Sequence, residues 1–180
     1  LLISVVFKGK LVNHRNKSIA KAAELESASK EDKVESAPKA PEVDPVKEAI
    51  KNGAVAVLWQ RNQPSPPKEV PVIFVDDTLE ALQNLAINYR SELNATFVGV
   101  TGSNGKTTTK DMIASILSTS FKVHKTHGNL NSNYGLPLTI LDIPKDTQIA
   151  VLEMGMSARG EIRDLSKIAK PDIAVITMIG

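Results

Sequence analysis

A glycine-rich stretch between a predicted strand and a predicted helix carries the residues best suited to chemistry. It consists of Thr101, Gly102, Ser103, Asn104, Gly105, Lys106, Thr107 and Thr108. Backbone N–H groups can surround a triphosphate only where glycines let the chain approach closely, and Gly102 and Gly105 supply that freedom. Lys106 would place a positive charge on the outer phosphates, and the Thr107 hydroxyl would bind magnesium. The stretch therefore predicts a nucleotide site with ATP and Mg²⁺ as the expected ligands.

The spacing of this stretch matches the phosphate-loop pattern G-x-x-x-x-G-K-[ST] in all but its first position. Val100 stands five residues before Gly105, and Gly99 is one place out of register. The alternative is an ordinary β-to-α turn whose lysine faces solvent. The order of strand, Gly-Lys-Thr-Thr and helix favours phosphate binding, because the N-terminus of the helix would direct N–H groups and partial positive charge at the anion.

Further candidate residues follow the loop. Glu153 falls at the C-terminal end of a predicted strand, the edge where open α/β sheets bind ligands, and its carboxylate would suit magnesium. The alternative for Glu153 is a solvated acid at a strand end. Asn129 and Asn131 could contact a substrate or could satisfy the backbone of a turn. His124 and His127 stand three apart on a predicted strand, where side chains point to opposite faces, so we assign them no metal or catalytic role.

The elements that must position these residues alternate along the chain. Strands are predicted at 96–100, 122–126, 148–153 and 172–177, and helices are predicted from the loop to about residue 120 and at 160–169. This alternation predicts a P-loop α/β domain with a doubly wound, mostly parallel but incomplete sheet. Before it, a helix at 46–51, strands at 54–59 and 70–75, and a helix with Thr78 as its N-cap predict a small α/β domain. We interpret Trp59 as a packing residue.

We divide the chain into four parts. Residues 1–17 resemble a strand, and residues 18–45 form a low-complexity linker that we expect to be more mobile than anything after Val46. Residues 46–94 form the small α/β domain, and residues 95–180 form the ATP-binding domain. The boundary between these two domains is predicted near Asn94.

Composition excludes several classes of function. Of the 180 residues, 42% are hydrophobic, and 22 basic against 20 acidic residues leave a formal charge of +2, too little for a nucleic-acid partner. The absence of cysteine excludes disulfide scaffolds, thiolate zinc sites and cysteine nucleophiles, and is ordinary for a cytoplasmic protein. The apolar run at the start is too short to span a bilayer, so we expect a cytoplasmic protein without membrane insertion.

The sequence Thr-Gly-Ser-Asn-Gly-Lys-Thr-Thr resembles the loop of the Mur ligases and their folylpolyglutamate synthetase relatives. Three further stretches carry the same resemblance: residues 128–139, residues 151–157 with 160–162, and residues 171–177 closed by Ile179 and Gly180. The resemblance covers about residues 46–180. It implies that residues 46–94 belong to a substrate-binding domain and that residues 95–180 belong to the central ATP-binding domain.

The resemblance also implies a reaction in which ATP phosphorylates a peptide carboxylate and an amine then displaces phosphate from the acyl phosphate. Lys106 and Glu153 would be catalytic, with Thr107 and Glu153 as magnesium ligands. Asn129 and Asn131 would face the substrate. The forms Glu-Met-Gly-Met-Ser and Gly-Leu-Pro-Leu-Thr resemble the members of the family that act on UDP-N-acetylmuramoyl-tripeptide and D-alanyl-D-alanine in peptidoglycan precursor synthesis. We expect the protein to be a monomer.

The sequence departs from this family at three places. The family continues beyond Gly180 into a magnesium-binding histidine and a third domain, usually has asparagine at Met178, and carries UDP-binding segments that do not occur between residues 1 and 44. We therefore expect the 180 residues alone not to form the peptide bond. The alternatives are a nucleotide-binding module without catalysis and a related ligase that adds another amino acid. An unrelated GTPase would need a guanine-reading Asn-Lys-x-Asp segment, which is absent.

Overall fold

The computed structural model describes residues 44–180, and the chain divides into two compact units between Ala81 and Leu82. The predicted strand-like segment 1–17 and nearly all of the predicted linker 18–45 lie outside the described residues. The helices are α1 (Pro45–Lys51), α2 (Thr78–Glu92), α3 (Lys106–Leu117), α4 (Gly135–Leu141) and α5 (Glu161–Ala169). The strands are β1 (Val57–Gln60), β2 (Val72–Val75), β3 (Thr96–Thr101), β4 (Val123–Lys125), β5 (Ile149–Glu153) and β6 (Ile173–Ile176).

The first unit contains a small parallel sheet of β1 and β2. Helix α1 begins after Asp44, whose side chain accepts a hydrogen bond from the Val46 N–H. Val46 packs in a buried cluster with Val57 and Trp59. The Trp59 indole N–H donates to the carbonyl oxygen of Gln63 at 3.0 Å, so the interpretation of Trp59 as a packing residue is confirmed.

Helix α2 corrects one prediction about its start. Thr78 is buried and lies inside the helix, and the Asp77 carboxylate instead accepts from the Glu80 N–H at 2.8 Å. Asp77 is therefore the N-cap, because its carboxylate can both accept this bond and interact favourably with the helix dipole. The division between the two units falls inside α2, whereas the boundary predicted near Asn94 lies after it and stays a prediction about domains.

The second unit is a parallel four-stranded sheet in the order β4-β5-β3-β6. The chain leaves β3, moves outward to β4, returns to β5, and then crosses to β6 on the other side of β3. The predicted α/β class with a mostly parallel, doubly wound sheet is confirmed. In such sheets ligands bind at the carboxyl ends of the strands where the strand order reverses, and this position lies at the end of β3.

Helices cover both faces of this sheet because side chains alternate along each strand. On one face Val98, Val100 and Val151 form a cluster with Ala114 of α3. On the other face buried residues of α2, α4 and α5 join strand residues in the larger cluster, whose members include Ala86, Phe97, Leu136, Ile140, Leu152 and Leu165. Burying each large apolar side chain contributes about 1.5–3 kcal/mol, so this two-sided packing fixes the strands that carry the site.

No helix in the described part of the chain is long and apolar enough to cross a membrane.

Candidate nucleotide-binding site

The glycine-rich stretch connects the carboxyl end of β3 to the first residue of α3. Gly105 precedes the helix with φ 80° and ψ 0°, and Gly102 has φ 138°. Both values lie in the region that favours glycine. A Cβ on Gly102 would also lie 2.9 Å from the backbone nitrogen and oxygen of Met178. The two glycines therefore stand where this backbone conformation and this close approach require them.

The Lys106 ammonium lies over this loop. It donates to the carbonyl oxygen of Gly102 at 2.7 Å and approaches that of Ser103 at 3.3 Å. The first N–H groups of a helix have no intrahelical acceptor, and those of α3 begin at the same place. A bound phosphate would therefore meet the cation and the helix N-terminus together, and Lys106 would exchange carbonyl oxygens for phosphate oxygens.

Residues that follow β6 form hydrogen bonds to the backbone of the loop. The Thr177 hydroxyl donates to the carbonyl oxygen of Asn104 at 2.5 Å, and the Thr177 N–H donates to that of Thr101 at 2.9 Å. The Ser103 N–H donates to the carbonyl oxygen of Met178 at 2.8 Å. The shape of the loop thus depends on a segment more than 70 residues away, as the separation of 73 between Thr177 and Asn104 shows.

We expect Thr177→Val to weaken ADP binding about fivefold, because the substitution keeps the shape of the side chain and removes a hydrogen bond worth about 1 kcal/mol. Thr177→Ser, which keeps the hydroxyl, should bind as the unsubstituted chain does. Titration with a fluorescent ADP analogue measures both variants. Equal affinities for the valine and serine variants would show that this hydroxyl does not hold the loop in its binding shape.

Glu153 ends β5 beside the loop, because its register partner in β3 is Val100. The residue is only 2% exposed, which excludes a solvated strand-end acid. Its Oε1 accepts from the Asn131 side-chain N–H at 2.8 Å, and its backbone N–H donates to the Thr126 hydroxyl at 2.9 Å. Its Oε2 has no hydrogen-bond partner among the described residues and lies 3.4 Å from the Lys110 ammonium.

The sequence analysis missed Lys110. This lysine is 2% exposed and lies one turn after Lys106 on α3, with its ammonium 3.7 Å from Asp111 Oδ1 as well. Asp111 in turn pairs with Lys125 at 2.7 Å, and the hydrogen bond from Lys125 is the largest cause of its lowered pKa. Lys110 follows Lys106 by four residues, and residues four apart lie on the same face of a helix. This spacing could have predicted that both lysines share one face of α3.

The two candidate asparagines differ in their surroundings. Asn131 is partly buried and its carbonyl oxygen accepts from the Gly155 N–H at 2.8 Å. A Cβ on Gly155 would lie 2.9 Å from Asn131 Oδ1, so glycine at this position lets the amide reach Glu153. Asn129 is exposed, and its carbonyl oxygen accepts from the Asn131 N–H. The structure thus brings Asn131 to Glu153 and does not bring Asn129 there, and a substrate contact by either residue stays a prediction.

Glu153 and Thr107 suit a magnesium ion that is bound jointly by the protein and by nucleotide phosphates. No group of three or more His, Cys, Asp or Glu side chains within residues 44–180 could hold a metal by itself. Magnesium is commonly bound through one or two carboxylates together with substrate phosphates. Glu153 offers one oxygen that accepts no hydrogen bond from residues 44–180, and Thr107 is exposed in the first turn of α3.

The two histidines correct another prediction. Their ring centroids are 5.7 Å apart with the planes at 85°, so the side chains meet and do not point to opposite faces. Side chains alternate between the two faces only within a strand, and β4 ends at Lys125, between the two histidines. Burial lowers the pKa of His124, and its Nε2 has no partner in the described part of the chain. Neither histidine belongs to the contacts of the loop or of Glu153.

These features define a P-loop nucleotide-binding domain. They are a parallel sheet, a glycine loop that leads into a helix with lysine at its first position, and a buried acid at the end of the neighbouring strand. Comparisons with known proteins agree. Residues 100–180 match the Mur ligase middle domain. This part of the chain, residues 100–180, belongs to the Mur ligase family.

The most informative relatives carry one name. The UDP-N-acetylmuramoyl-tripeptide–D-alanyl-D-alanine ligase of Bacillus subtilis (strain 168) is 61% identical over 135 residues, which cover 75% of this chain and 30% of that protein. The ligase of the same name from Synechocystis is 42% identical over 135 residues, with the same coverage of 75% and 30%. The structure of the MurF ligase from Thermotoga maritima in complex with ADP matches with a TM-score of 0.66 and 40% identity, over 79% of this chain and 33% of that one. The chain thus spans about 30% of the length of the curated relatives that it matches.

Proposed function

We propose that this chain binds ATP in the stretch from Thr101 to Thr108 as part of an ATP-dependent ligase. The ligase would join D-alanyl-D-alanine to UDP-N-acetylmuramoyl-tripeptide in peptidoglycan precursor synthesis. The observation that carries the proposal is the position of the loop and of buried Glu153 on the neighbouring strands β3 and β5. The 61% identity to the Bacillus subtilis ligase supports this choice of substrates.

The phosphate loop suits the first half of this chemistry. Phosphoryl transfer depends on alignment and charge neutralisation more than on covalent help from the protein. Lys106 would neutralise charge on the outer phosphates, and Gly102 and Gly105 would let backbone N–H groups approach them. A carboxylate oxygen of the tripeptide would then attack the γ-phosphorus, and ADP would leave. The amine of D-alanyl-D-alanine would attack the resulting acyl carbon, and inorganic phosphate would leave with the electron pair of the broken C–O bond.

Thr107 and Glu153 would hold Mg²⁺, which when bound neutralises charge on the ATP phosphates. The hydrogen bond from Asn131 to Glu153 Oε1 orients the carboxylate for this role. Asn129 is exposed, so a substrate could reach its side chain. The cytoplasmic location and the monomeric state expected from the sequence remain predictions.

A hybrid enzyme tests the proposed function. The matching 135 residues of the Bacillus subtilis ligase are replaced by those of this chain. We expect the hybrid to convert the UDP-linked tripeptide, ATP and D-alanyl-D-alanine to the UDP-linked pentapeptide, which mass spectrometry detects. The hybrid with Lys106→Ala should make far less product.

The 180-residue chain alone serves as the matched control. We expect it to form no pentapeptide at an enzyme-like rate, because the carboxylate, the γ-phosphate and the amine must be aligned together for the barrier to fall. A folded hybrid that binds ATP but forms no pentapeptide would contradict the proposed ligase activity. Pentapeptide formed by the chain alone, in a preparation free of host ligase, would contradict the expected dependence on the rest of the enzyme.

A further inference from the structure

A buried ion pair joins α3 to the end of β5. The side chains of Lys110 and Glu153 are each 3% exposed, and Lys110 Nζ lies 3.4 Å from Glu153 Oε2. Removing charges from water costs several kcal/mol per ion in proteins, so a pair buried this deeply is weak evidence for stability alone. The pair therefore calls for a role beyond packing.

We infer that Lys110 is an internal counter-ion that prevents a free divalent cation from binding at Glu153, so that the metal binds there only together with nucleotide phosphates. This inference rests on the proposed function, in which Glu153 is a magnesium ligand. Lys110 touches neither nucleotide nor metal in this account and acts through Glu153, so it is a positioning residue.

The charges near Glu153 balance without a metal. Glu153 faces Lys110, which also approaches Asp111 at 3.7 Å, and Asp111 pairs with Lys125 at 2.7 Å. These two acids and two lysines sum to zero. A free divalent cation would therefore approach no net negative charge, and it would meet a buried ammonium close to the oxygen it must bind. The phosphates of a nucleotide bring the negative charge that the site lacks.

The geometry still leaves Glu153 able to bind a metal. A carboxylate has about four lone-pair positions on its two oxygens. Asn131 uses one on Oε1, and Oε2 has the lysine near it but accepts no hydrogen bond from the described residues. A metal that arrives with phosphates can thus share Oε2 with Lys110. The ammonium therefore makes metal binding depend on the presence of nucleotide phosphates, and it does not block the carboxylate.

Manganese binding by the full chain tests the inference, with free Mn²⁺ followed by electron paramagnetic resonance and Tm measured with and without Mn²⁺. For the unsubstituted chain we expect no bound Mn²⁺ at millimolar concentration without ADP, and no change in Tm. Lys110→Met should gain at least about tenfold in affinity for free Mn²⁺, because a repulsive unit charge beside the ligand is removed.

The same variant has a signature that a purely structural lysine would not produce. Without metal, Lys110→Met should lose about 10 °C in Tm because it leaves Glu153 buried and unpaired, and Mn²⁺ should restore much of this loss. The double variant Lys110→Met with Glu153→Gln should keep a Tm near that of the unsubstituted chain and should not respond to Mn²⁺. Lys122→Met, which removes a surface lysine that pairs with Asp146 and lies outside this balanced set of charges, should gain no Mn²⁺ affinity.

Two results would overturn the inference. One is free Mn²⁺ binding to the unsubstituted chain as tightly as to Lys110→Met, and the other is a Tm loss in that variant that Mn²⁺ does not restore. If Lys110→Met does not fold, the unsubstituted chain decides: the inference requires that ADP raise Mn²⁺ affinity at least about tenfold, and equal affinity with and without ADP refutes it. Failure of the unsubstituted chain to bind ADP would count against the proposed function instead, since the comparison in free Mn²⁺ needs no nucleotide.

Discussion

Lys106→Ala should weaken ADP binding by about 100-fold, because hydrogen bonds to charged groups contribute roughly 1.5–3 kcal/mol and this lysine aims its charge at the loop. In the structure its ammonium already reaches the carbonyl oxygen of Gly102 at 2.7 Å. Phosphate oxygens bound in the loop would take the place of this carbonyl. Calorimetric titration with ADP and magnesium measures the loss.

A second lysine provides the control for Lys106. Lys122 is 68% exposed and pairs with Asp146 on the surface at 2.8 Å. Lys122→Ala removes the same charge from the chain and should leave ADP affinity within about twofold, because surface ion pairs contribute little. Both variants should keep their Tm within a few degrees. Unchanged affinity in a folded Lys106→Ala protein would refute the assignment of the loop as the nucleotide site.

Gly102→Ala should have the largest combined effect on stability and binding. Its backbone has φ 138°, and a Cβ would lie 2.9 Å from the backbone nitrogen and oxygen of Met178 and against the Thr177 hydroxyl. These neighbours are backbone or are held by hydrogen bonds to the loop, so the loop itself must shift. Strain and overpacking together should lower the free energy of unfolding by about 3 kcal/mol, and the displaced loop should lose more than tenfold in ADP affinity.

A substitution at Gly160 provides a control that has the backbone strain of Gly102→Ala without its steric crowding. It has φ 95°, and a Cβ there would meet nothing within 4 Å. Gly160→Ala should therefore cost only about 1 kcal/mol, the penalty for a left-handed alanine, and should leave ADP binding unchanged. Denaturant unfolding and ADP titration on both variants make the comparison. Equal costs for the two substitutions would mean that the close approach of the Thr177–Met178 segment does not shape the loop.

The class of the fold and the position of the loop could be read from the residues. Three of the four strands after residue 95 are short apolar runs, with β4 (Val-His-Lys) as the exception. Such runs separated by helical segments favour a parallel sheet whatever the distant contacts are. The phosphate loop is equally local, since the glycines, the lysine and the start of α3 stand within a few residues of one another. Local patterns also placed Glu153 at a strand end, because a strand's carboxyl end is marked where its apolar run stops.

The surroundings of those residues could not be read in the same way. Whether Glu153 was solvated or buried depended on Asn131 and on Lys110, which lie far from it in the chain. The histidine rings meet because β4 ends at Lys125, and a strand end is among the features that local patterns locate least well. The sequence analysis took Thr78 as the cap of this helix, and only the structure shows that Thr78 is buried and that Asp77 accepts the bond from the Glu80 N–H.

The sequence by itself determined a phosphate loop, the order of strands and helices except for α4, which no pattern predicted, and an acid at the end of β5. These features follow from the conformational freedom of glycine and from apolar periodicity. Only the tertiary structure decided that Lys110 lies against Glu153 and that Thr177 holds the loop. The physical reason is that both contacts depend on strand register: Val100 pairs with Glu153 on one side of β3, and Thr101 pairs with Ile176 on the other. Pairing between distant strands is selected by the packing of the whole sheet, and no short stretch of residues encodes it.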